Sequence, residues 1–111
     1  MNIPSVTDEQ LERVIASAQS PVFALFEEMD QPGYLHDRAV ALSILPKWDC
    51  SIIFVRILID ENPMAAFMHS PLPGVVGWVR REKIGRMDTG FDADYAEVFC
   101  TQLIAHTGGT Q

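Results

Sequence analysis

The sequence predicts a single α/β domain with a mixed central sheet. Two short apolar stretches typical of buried strands, 22–26 and 51–59, are separated by a helical segment. Two further strand-like stretches lie in the last third of the chain and are joined by a turn of charged residues. A strand–helix–strand connection gives parallel pairing, and a hairpin gives antiparallel pairing. Together these observations predict a mixed α/β sandwich.

Length and charge restrict the possible functions. The chain has 111 residues, 48% of them apolar, which fits one domain with a real core. Fifteen acidic side chains against eight basic ones give a net charge of −7. Because nucleic-acid affinity depends on Lys and Arg neutralising phosphates, this charge argues against nucleic-acid binding. It also disfavours anionic membrane surfaces and favours a basic partner.

The first predicted helix begins after Thr7. Gln10 follows three residues later, as in a capping box, in which each side chain bonds the backbone N–H of the other residue. Apolar residues then recur at helical spacing; they are Leu11, Val14, Ile15 and Ala18. Ser20 and Pro21 end this helix, and the strand 22–26 follows.

The middle of the chain predicts a helix, a strand and a short helix. After the acidic turn 27–33, residues 34–45 have helical spacing, and Pro46 is expected to stop the helix. The β-branched stretch 51–59 is typical of a central strand. Asn62 is expected to cap a short helix with Pro63 in its first position. Met64 and Met68 in that helix are expected to lie in the core.

The last third predicts a rigid loop 70–74, a strand 75–80, a turn at Arg81 and Glu82, and a return strand 83–87. Asp92 is expected to cap the final helix. Its predicted apolar face consists of Tyr95, Val98, Phe99, Gln102, Leu103 and His106. The order is αβαβαββα, with room for one more strand before the first helix. The domain spans 1–106, and the Gly/Thr-rich tail 107–111 is expected to fray.

Three stretches resemble the thioredoxin family. Residues 21–26, Pro-Val-Phe-Ala-Leu-Phe, are similar to its second strand, and 59–63, Ile-Asp-Glu-Asn-Pro, to the V-D-E-N-P that follows its third strand. Leu-Pro-Gly at 72–74 resembles the family's I-P-T, whose proline has a cis peptide bond. The likeness covers about residues 5 to 105. It implies a thioredoxin-like three-layer α/β/α sandwich and a cis bond before Pro73.

The chain departs from this family where its chemistry takes place. Aligning Phe26 with the family's strand-ending Phe puts Gln31-Pro32-Gly33-Tyr34 in place of C-G-P-C, and a shift by one residue puts 30–33 there. Neither register supplies the thiolate and the resolving thiol that disulfide exchange requires. Leu25 occupies the position of the family's proton-relaying Asp. We therefore expect no catalytic residue, no cofactor and no metal.

The remaining reactive side chains are expected to be structural. Cys50 and Cys100 are predicted to be small buried hydrophobes. The three histidines, His36, His69 and His106, lack ligand-like spacing and are expected on the surface or at helix ends. The carboxylates near the altered loop are expected to form a solvated acidic loop rather than a catalytic pair; they are Glu27, Glu28, Asp30 and Asp37.

No targeting signal is visible in the sequence. The first ten residues lack the basic and apolar regions of a signal peptide. The longest apolar run, 51–59, is interrupted by Arg56 and is far shorter than the roughly 20 residues of a membrane span. We expect a cytoplasmic protein without membrane insertion.

The loop around Pro73 is the predicted binding surface. In thioredoxins this loop presents backbone groups to an extended peptide, which pairs like an added strand, and Gly74 is expected to leave the backbone accessible. Alternatively, the loop is present only because the fold needs it. The expected peptide-binding or partner-binding residues are Asp30, Gln31, Pro32, Tyr34, Leu72, Pro73, Gly90 and Phe91.

These features predict a non-catalytic thioredoxin-fold binding protein, a chaperone or assembly factor. Within the family the chain resembles the hydrogenase-expression accessory proteins, which are small, cytoplasmic and without C-x-x-C. That resemblance implies help in maturing the small subunit of uptake nickel–iron hydrogenase, whose basic leader carries twin arginines. The partner is then a protein or basic signal peptide, with homo-oligomers also open. The alternative is an atypical thiol oxidoreductase using Cys50 or Cys100.

Overall fold

The computed structural model describes residues 2–31 and 33–107. Of the tail expected to fray, 108–111 lie outside the described residues. The helices are α1 (Asp8–Ser17), α2 (Tyr34–Trp48), α3 (Pro63–Met68) and α4 (Ala93–Ala105). The strands are β1 (Val22–Glu27), β2 (Ile53–Leu58), β3 (Gly74–Val79) and β4 (Glu82–Asp88), and a 3-10 turn, Ile59–Glu61, follows β2. None of the described helices is long and apolar enough to cross a membrane.

The four strands form one mixed sheet in the order β2-β1-β3-β4. Strand β1 is parallel to β2 and antiparallel to β3, and β4 returns antiparallel to β3. One row of paired residues crosses the whole sheet: Ile57, Phe26, Gly74 and Asp88. Strands β1, β2 and β4 therefore end at the same edge, which we call the carboxyl end of the sheet.

The sheet has a hydrophobic core on each face. Along β1, Phe23 and Leu25 belong to a cluster that includes residues of α2 and α4. Ala24 and Phe26 belong to the opposite cluster, with residues of α1 and α3. This is the alternation that a strand buried on both faces requires. The predicted three-layer α/β/α sandwich is confirmed.

The sequence left room for a strand before α1, but the structure has only a single β-bridge in that segment. Ser5 pairs in parallel with Arg56 of β2. The N–H of Val6 donates to the Arg56 carbonyl at 2.9 Å, and the N–H of Arg56 donates to the Pro4 carbonyl at 2.9 Å. The segment thus covers the outer edge of β2 without becoming a full strand.

The start of α1 is as predicted. The Thr7 hydroxyl accepts from the N–H of Gln10 at 3.3 Å, and the Gln10 side chain accepts from the N–H of Thr7 at 2.9 Å. Both halves of the capping box are present. This feature depends on residues within one turn, so the local sequence suffices to predict it.

The prediction that Pro46 stops the second helix is wrong. Helix α2 continues to Trp48, and the N–H of Asp49 still donates to the Leu45 carbonyl at 2.8 Å. Pro46 removes only the bond to the carbonyl of Leu42. The Trp48 side chain packs against the core and donates to Glu97 of α4, so tertiary contacts hold the last turn.

The hairpin turn lies one residue earlier than predicted. Arg80 and Arg81 form it, with φ of 52° and 72°, values that cost a non-glycine residue about 1–2 kcal/mol each. Arg81 Nε donates to the Ala16 carbonyl at 2.9 Å, and Arg80 donates to the carbonyl of Thr107. These hydrogen bonds, to α1 and to the segment just after α4, offset the conformational cost of a positive φ at two residues that are not glycine.

Asn62 is the N-cap residue of α3 and Pro63 begins the helix, as predicted, but the Asn62 side chain does not bond to a backbone N–H of α3. This side chain accepts from the N–H of Asp8 at 2.9 Å and donates to the Leu58 carbonyl at 3.0 Å. Asp8 of α1 accepts instead from the N–H of Ala65 in α3, at 2.7 Å. The beginnings of α1 and α3 are therefore joined by two hydrogen bonds in opposite directions.

Two helical faces are rotated relative to expectation. Met64 and Met68 are each 56% exposed, so they are not core residues, and α3 packs inward through Ala65 and Ala66. In α4, Tyr95 and Val98 are likewise exposed, and His106 lies on the surface. Phe99 and Leu103 of α4 do face the core, as predicted, together with Ala96 and Cys100. Both sets of positions have helical spacing, and only the packing against the sheet decides between them.

Candidate peptide-binding groove

An open groove of about 460 Å³ lies at the carboxyl end of the sheet. Three segments build it: the loop after β1, the loop before β3 and the end of β4. Its lining residues, which we call the Pro73 groove, are Glu28, Gln31, Leu72, Pro73, Arg86, Asp88 and Thr89. The structure thus brings together three residues predicted from the sequence, Gln31, Leu72 and Pro73. It adds Glu28, Arg86, Asp88 and Thr89, which sequence reasoning did not include.

The Leu72–Pro73 peptide bond is trans, since the described residues contain no cis peptide bond. The expectation of a cis bond is therefore wrong. Side chains hold the loop in place: the Ser70 hydroxyl donates to the Leu72 carbonyl at 2.6 Å, and Arg86 donates to the Pro73 carbonyl at 3.2 Å. Each of these two carbonyls thus already accepts an internal hydrogen bond.

The expectation that Gly74 is accessible is wrong as well. It is the first residue of β3, buried and paired with Phe26 on one side and Asp88 on the other. Its φ of +148° favours glycine, and a Cβ at this position would overlap the Met87 carbonyl oxygen. The close approach of β4 explains why the position holds glycine, and it removes the Gly74 backbone from the groove surface.

Arg86 organises the groove. Its guanidinium donates to the Ser70 hydroxyl, to the Pro73 carbonyl and, through Nε at 3.3 Å, to the Asp88 carboxylate. The side chain is 27% exposed. Because these donors are engaged internally, Arg86 acts mainly as a support for the loop. In the sequence, the one indication that Arg86 supports the loop is that a charged residue stands within a predicted strand of the hairpin.

Acidic side chains are concentrated at the end of the sheet that bears the groove. Glu28 and Asp88 line it, Asp30 is exposed in the same loop, and Asp60 and Glu61 are exposed just after β2. The Asp60 carboxylate accepts from the N–H of Met29 at 3.3 Å, which joins the two acidic segments. We use the name acidic rim for Glu28, Asp30, Asp60, Glu61 and Asp88. Together with Glu27 these five carboxylates outnumber the guanidinium groups of Arg38, Arg56 and Arg86 at the same end of the sheet, which is therefore electronegative.

The prediction of a solvated acidic loop is wrong for Glu27. This side chain is 1% exposed and lies between two arginines. Arg38 donates to it from Nε at 2.8 Å and Nη2 at 2.9 Å, and Arg56 from Nη1 at 3.4 Å. The hydrogen bonds to Glu27 raise the pKa of Arg38. Arg56, the charge that interrupts an apolar strand, was the available sequence signal for a buried partner.

Asp37 is also buried, at 2% exposure, although it was expected in the solvated loop. Its carboxylate accepts from the Thr89 hydroxyl at 2.5 Å and from the N–H of Gly90 at 2.9 Å. These bonds join α2 to the loop after β4. They fix the position of Thr89 in the wall of the groove, so Asp37 supports the site from beneath.

The other predicted site residues have different surroundings. Tyr34 is half-buried at the start of α2, with the Arg38 guanidinium 5.5 Å from its ring centre. Gly90 is exposed, whereas Phe91 is only 6% exposed and belongs to the core. The expectation that Phe91 lies on the docking surface is therefore wrong. Pro32 lies outside the described residues.

The two thiols lie away from the groove. Cys50 is exposed, contrary to prediction, and follows the far end of α2, whose 15 residues span about 22 Å. Cys100 is buried in α4, as predicted. Burial raises the pKa of its thiol to about 12, because the thiolate loses its hydration. Neither sulfur is at the beginning of α2, the position at which a helix end favours a thiolate.

The histidines occupy the positions expected of them. His36 contacts the Phe91 carbonyl with Nε2 at 3.1 Å, and His106 contacts the Gln102 carbonyl with Nδ1 at 2.9 Å. His69 ends α3 and lies 2.6 Å from the Glu12 carboxylate. Surface and helix-end roles are confirmed for these residues.

No family model matches the sequence, and no curated protein matches it either. Solved structures do match. Chloroplastic thioredoxin z superposes with a TM-score of 0.82 at 22% identity, covering 95% of this chain and 96% of that one.

The chain has a thioredoxin-like fold. A second thioredoxin-like neighbour is a chain from the structural work on the thiol resolving mechanism in yeast mitochondrial 1-Cys peroxiredoxin via glutathione/thioredoxin systems. It gives a TM-score of 0.79 at 15% identity, covering 91% of this chain and 95% of that one. Both likenesses concern the fold. The thioredoxin-like fold predicted from the sequence is confirmed at this level.

Proposed function

We propose that this protein is a non-catalytic thioredoxin-fold binding module, a chaperone or assembly factor for a basic protein segment. The observation that carries the proposal is the acidic rim beside a groove without a thiol. Exchange chemistry needs a thiolate beside a resolving thiol. Here Gln31 and Tyr34 stand at the corresponding loop, Cys50 lies beyond the other end of α2, and Cys100 is buried with a raised pKa.

Recognition in this groove depends on side chains more than on backbone pairing. The carbonyls of Leu72 and Pro73 accept internal hydrogen bonds, and Gly74 is paired within the sheet. Carboxylates remain available on the rim, and guanidinium or ammonium groups form charge-assisted hydrogen bonds with them. Exposed charges of this kind raise the rate of encounter and select the partner, and added salt screens them.

In its more specific form, the proposal names the bound segment as the twin-arginine leader of the uptake nickel–iron hydrogenase small subunit. The resemblance to hydrogenase-expression accessory proteins and the net charge of −7 support it. An Arg-Arg pair offers one guanidinium for each of the two carboxylates that line the groove, Glu28 and Asp88. A pulldown from the native host that recovers no hydrogenase precursor would remove this partner and leave the general binding role standing.

The test is peptide binding measured by fluorescence anisotropy. A labelled peptide with an Arg-Arg pair should bind more tightly than its Gln-Gln counterpart, and binding should weaken between 50 and 300 mM salt. The double substitution Glu28→Gln and Asp88→Asn should lower affinity about fivefold, since exposed ion pairs contribute about 0.2–1 kcal/mol each. The control, Asp49→Asn with Glu82→Gln, removes the same charge at the opposite end of the sheet, where α2 ends and β4 begins. Equal losses in the two variants would contradict a specific site.

The second candidate is a thiol oxidoreductase, favoured by the exposure of Cys50. Reduction of insulin disulfides by dithiothreitol distinguishes it from the binding module. We expect no acceleration over the uncatalysed rate. Acceleration that disappears in Cys50→Ser would replace the binding proposal with an enzymatic one.

A further inference from the structure

An apolar surface lies on the outer side of α3, close to the Pro73 groove. Phe67 is 82% exposed, and Met64 and Met68 are each 56% exposed. Their spacing of three and four residues places them on one side of the helix. We call these three residues the α3 apolar face. A largely exposed phenylalanine between two exposed methionines is unusual for a surface that contacts only water.

The fold holds this face outward. At the start of α3, the N–H of Ala65 donates to Asp8 of α1 at 2.7 Å. At its end, His69 lies 2.6 Å from the Glu12 carboxylate, also on α1. Both ends of the helix are thus attached to α1, and the small side chains of Ala65 and Ala66 fill the inner side. Rotation of α3 to bury Phe67 would break these contacts.

The α3 apolar face is continuous with the proposed binding site. Leu72, a residue of the groove, is 64% exposed and follows Met68 by four residues, a span of at most about 14 Å. On the other side, Asp60 and Glu61 of the acidic rim precede α3 and are separated from it by Asn62. Apolar and acidic surfaces therefore alternate over a short distance, which fits a partner that combines basic and apolar residues.

Charge favours a peptide over other occupants of this face. Two copies of a chain of net charge −7 would bring two acidic rims together. An anionic lipid surface would meet the same repulsion. Methionine side chains adapt their shape to varied apolar partners, and phenylalanine provides a large contact area. The complementary occupant is a segment in which basic residues adjoin an apolar stretch.

Resting on the function proposed above, we infer that the α3 apolar face binds the apolar stretch of the segment whose basic residues pair with the acidic rim. The basic part lies in the Pro73 groove, and Leu72 lies between the two halves. The protein would then bind segments in which basic residues are followed by apolar residues. Secretory leaders have this composition, with a basic region before an apolar one.

The experiment compares two labelled peptides with the same Arg-Arg pair, one continuing with eight residues of Leu and Ala and the other with eight of Ser and Gly. Phe67→Ser should weaken binding of the apolar peptide about tenfold and leave the polar peptide unchanged. At 82% exposure in the free protein, Phe67 contributes little to folding. The matched control is Val98→Ser, in an exposed apolar and acidic patch of α4 on the opposite face of the sheet.

The outcomes separate this inference from the proposed function. If both peptides bind equally to the native protein and to Phe67→Ser, while binding still depends on salt and on the arginines, the inference fails and the proposed function stands. If the arginines do not matter, the proposed function fails. Light scattering that shows a dimer of the native protein and a monomer of Phe67→Ser would assign the face to a second copy. Phe67-dependent sedimentation with phosphatidylglycerol vesicles would assign it to a membrane, and either result overturns the inference.

Discussion

Glu27 and Arg38 form two parallel hydrogen bonds, Nε to Oε2 at 2.8 Å and Nη2 to Oε1 at 2.9 Å. The carboxylate ends β1 and is 1% exposed, and the guanidinium lies one turn into α2. Arg56 of β2 adds a third donor at 3.4 Å. This ion pair therefore joins two strands and a helix at the carboxyl end of the sheet, next to the loop that bears Glu28 and Gln31.

Substituting Glu27→Gln should destabilise the protein by about 3 kcal/mol. Removing one partner of a buried ion pair typically costs about 3–5 kcal/mol, and the partial exposure of Arg38 and Arg56, 29% and 22%, places the effect at the lower end. Urea unfolding followed by tryptophan fluorescence measures it. The control Glu9→Gln removes an exposed partner of Arg13 and should change the free energy of unfolding by under about 0.5 kcal/mol. Similar losses in both variants would contradict the role assigned to Glu27.

Gly74→Ala should destabilise the protein by about 3 kcal/mol or more. The new Cβ overlaps the Met87 carbonyl oxygen, a backbone atom of β4 that cannot move aside without breaking the pairing. Gly90→Ala provides the control, because Gly90 also has positive φ, +88°, but has open space around it. Its cost should be about 1–2 kcal/mol, from the backbone alone. Equal costs in thermal or urea unfolding would mean that the approach of β4 does not determine the residue at 74.

Asp8→Ala should destabilise by about 1–3 kcal/mol, because the N–H of Ala65 loses its acceptor at the start of α3. Asp8→Asn keeps an acceptor oxygen at this position and should retain most of the stability. The comparison by urea unfolding thus tests the hydrogen bond rather than the charge. If Asp8→Asn is as unstable as Asp8→Ala, attraction between the carboxylate and the helix end is the larger contribution.

Local signals in the sequence predicted much of the fold. The Thr7 capping box, the Asp92 cap and the order of helices and strands depend on neighbouring residues, and all three are present. The end of α2 and the hydrogen bonds of the Asn62 side chain differ from expectation because contacts from elsewhere in the chain determine them. Trp48 is held by Glu97, and Asn62 is bonded to Asp8. Local preference decides such positions only where tertiary contacts do not oppose it.

The candidate site was predicted only in part, for the same reason. Gln31, Leu72 and Pro73 belong to loops that flank the predicted strands, so their convergence followed from the topology. The topology did not, however, predict which side chains near the site are buried. Glu27 became a core residue because a parallel neighbour carries Arg56, and Phe91 because it packs in the cluster between the sheet and α4. Long-range register decides such cases, and a single sequence does not reveal it.

The two thiols should differ sharply in reactivity. With Ellman's reagent at pH 8, exposed Cys50 should react at once, whereas Cys100 should react only when the protein unfolds, because burial raises its pKa to about 12. The native protein should thus show one fast thiol, and Cys50→Ser should show none. A fast second thiol would mean that α4 opens readily from the sheet.

The raised pKa of Cys100 also predicts the sign of a pH effect on stability. The folded protein retains the thiol proton until the pH nears 12, whereas the unfolded chain releases it near the ordinary 9.0. Between these values the unfolded state binds fewer protons, so the free energy of unfolding falls as pH rises above about 9. Urea unfolding at pH 8 and pH 10.5 should show a smaller fall for Cys100→Ala than for the native chain. Cys50→Ser, which removes an exposed thiol, is the matched control. An unchanged fall in Cys100→Ala would assign the pH effect to other groups.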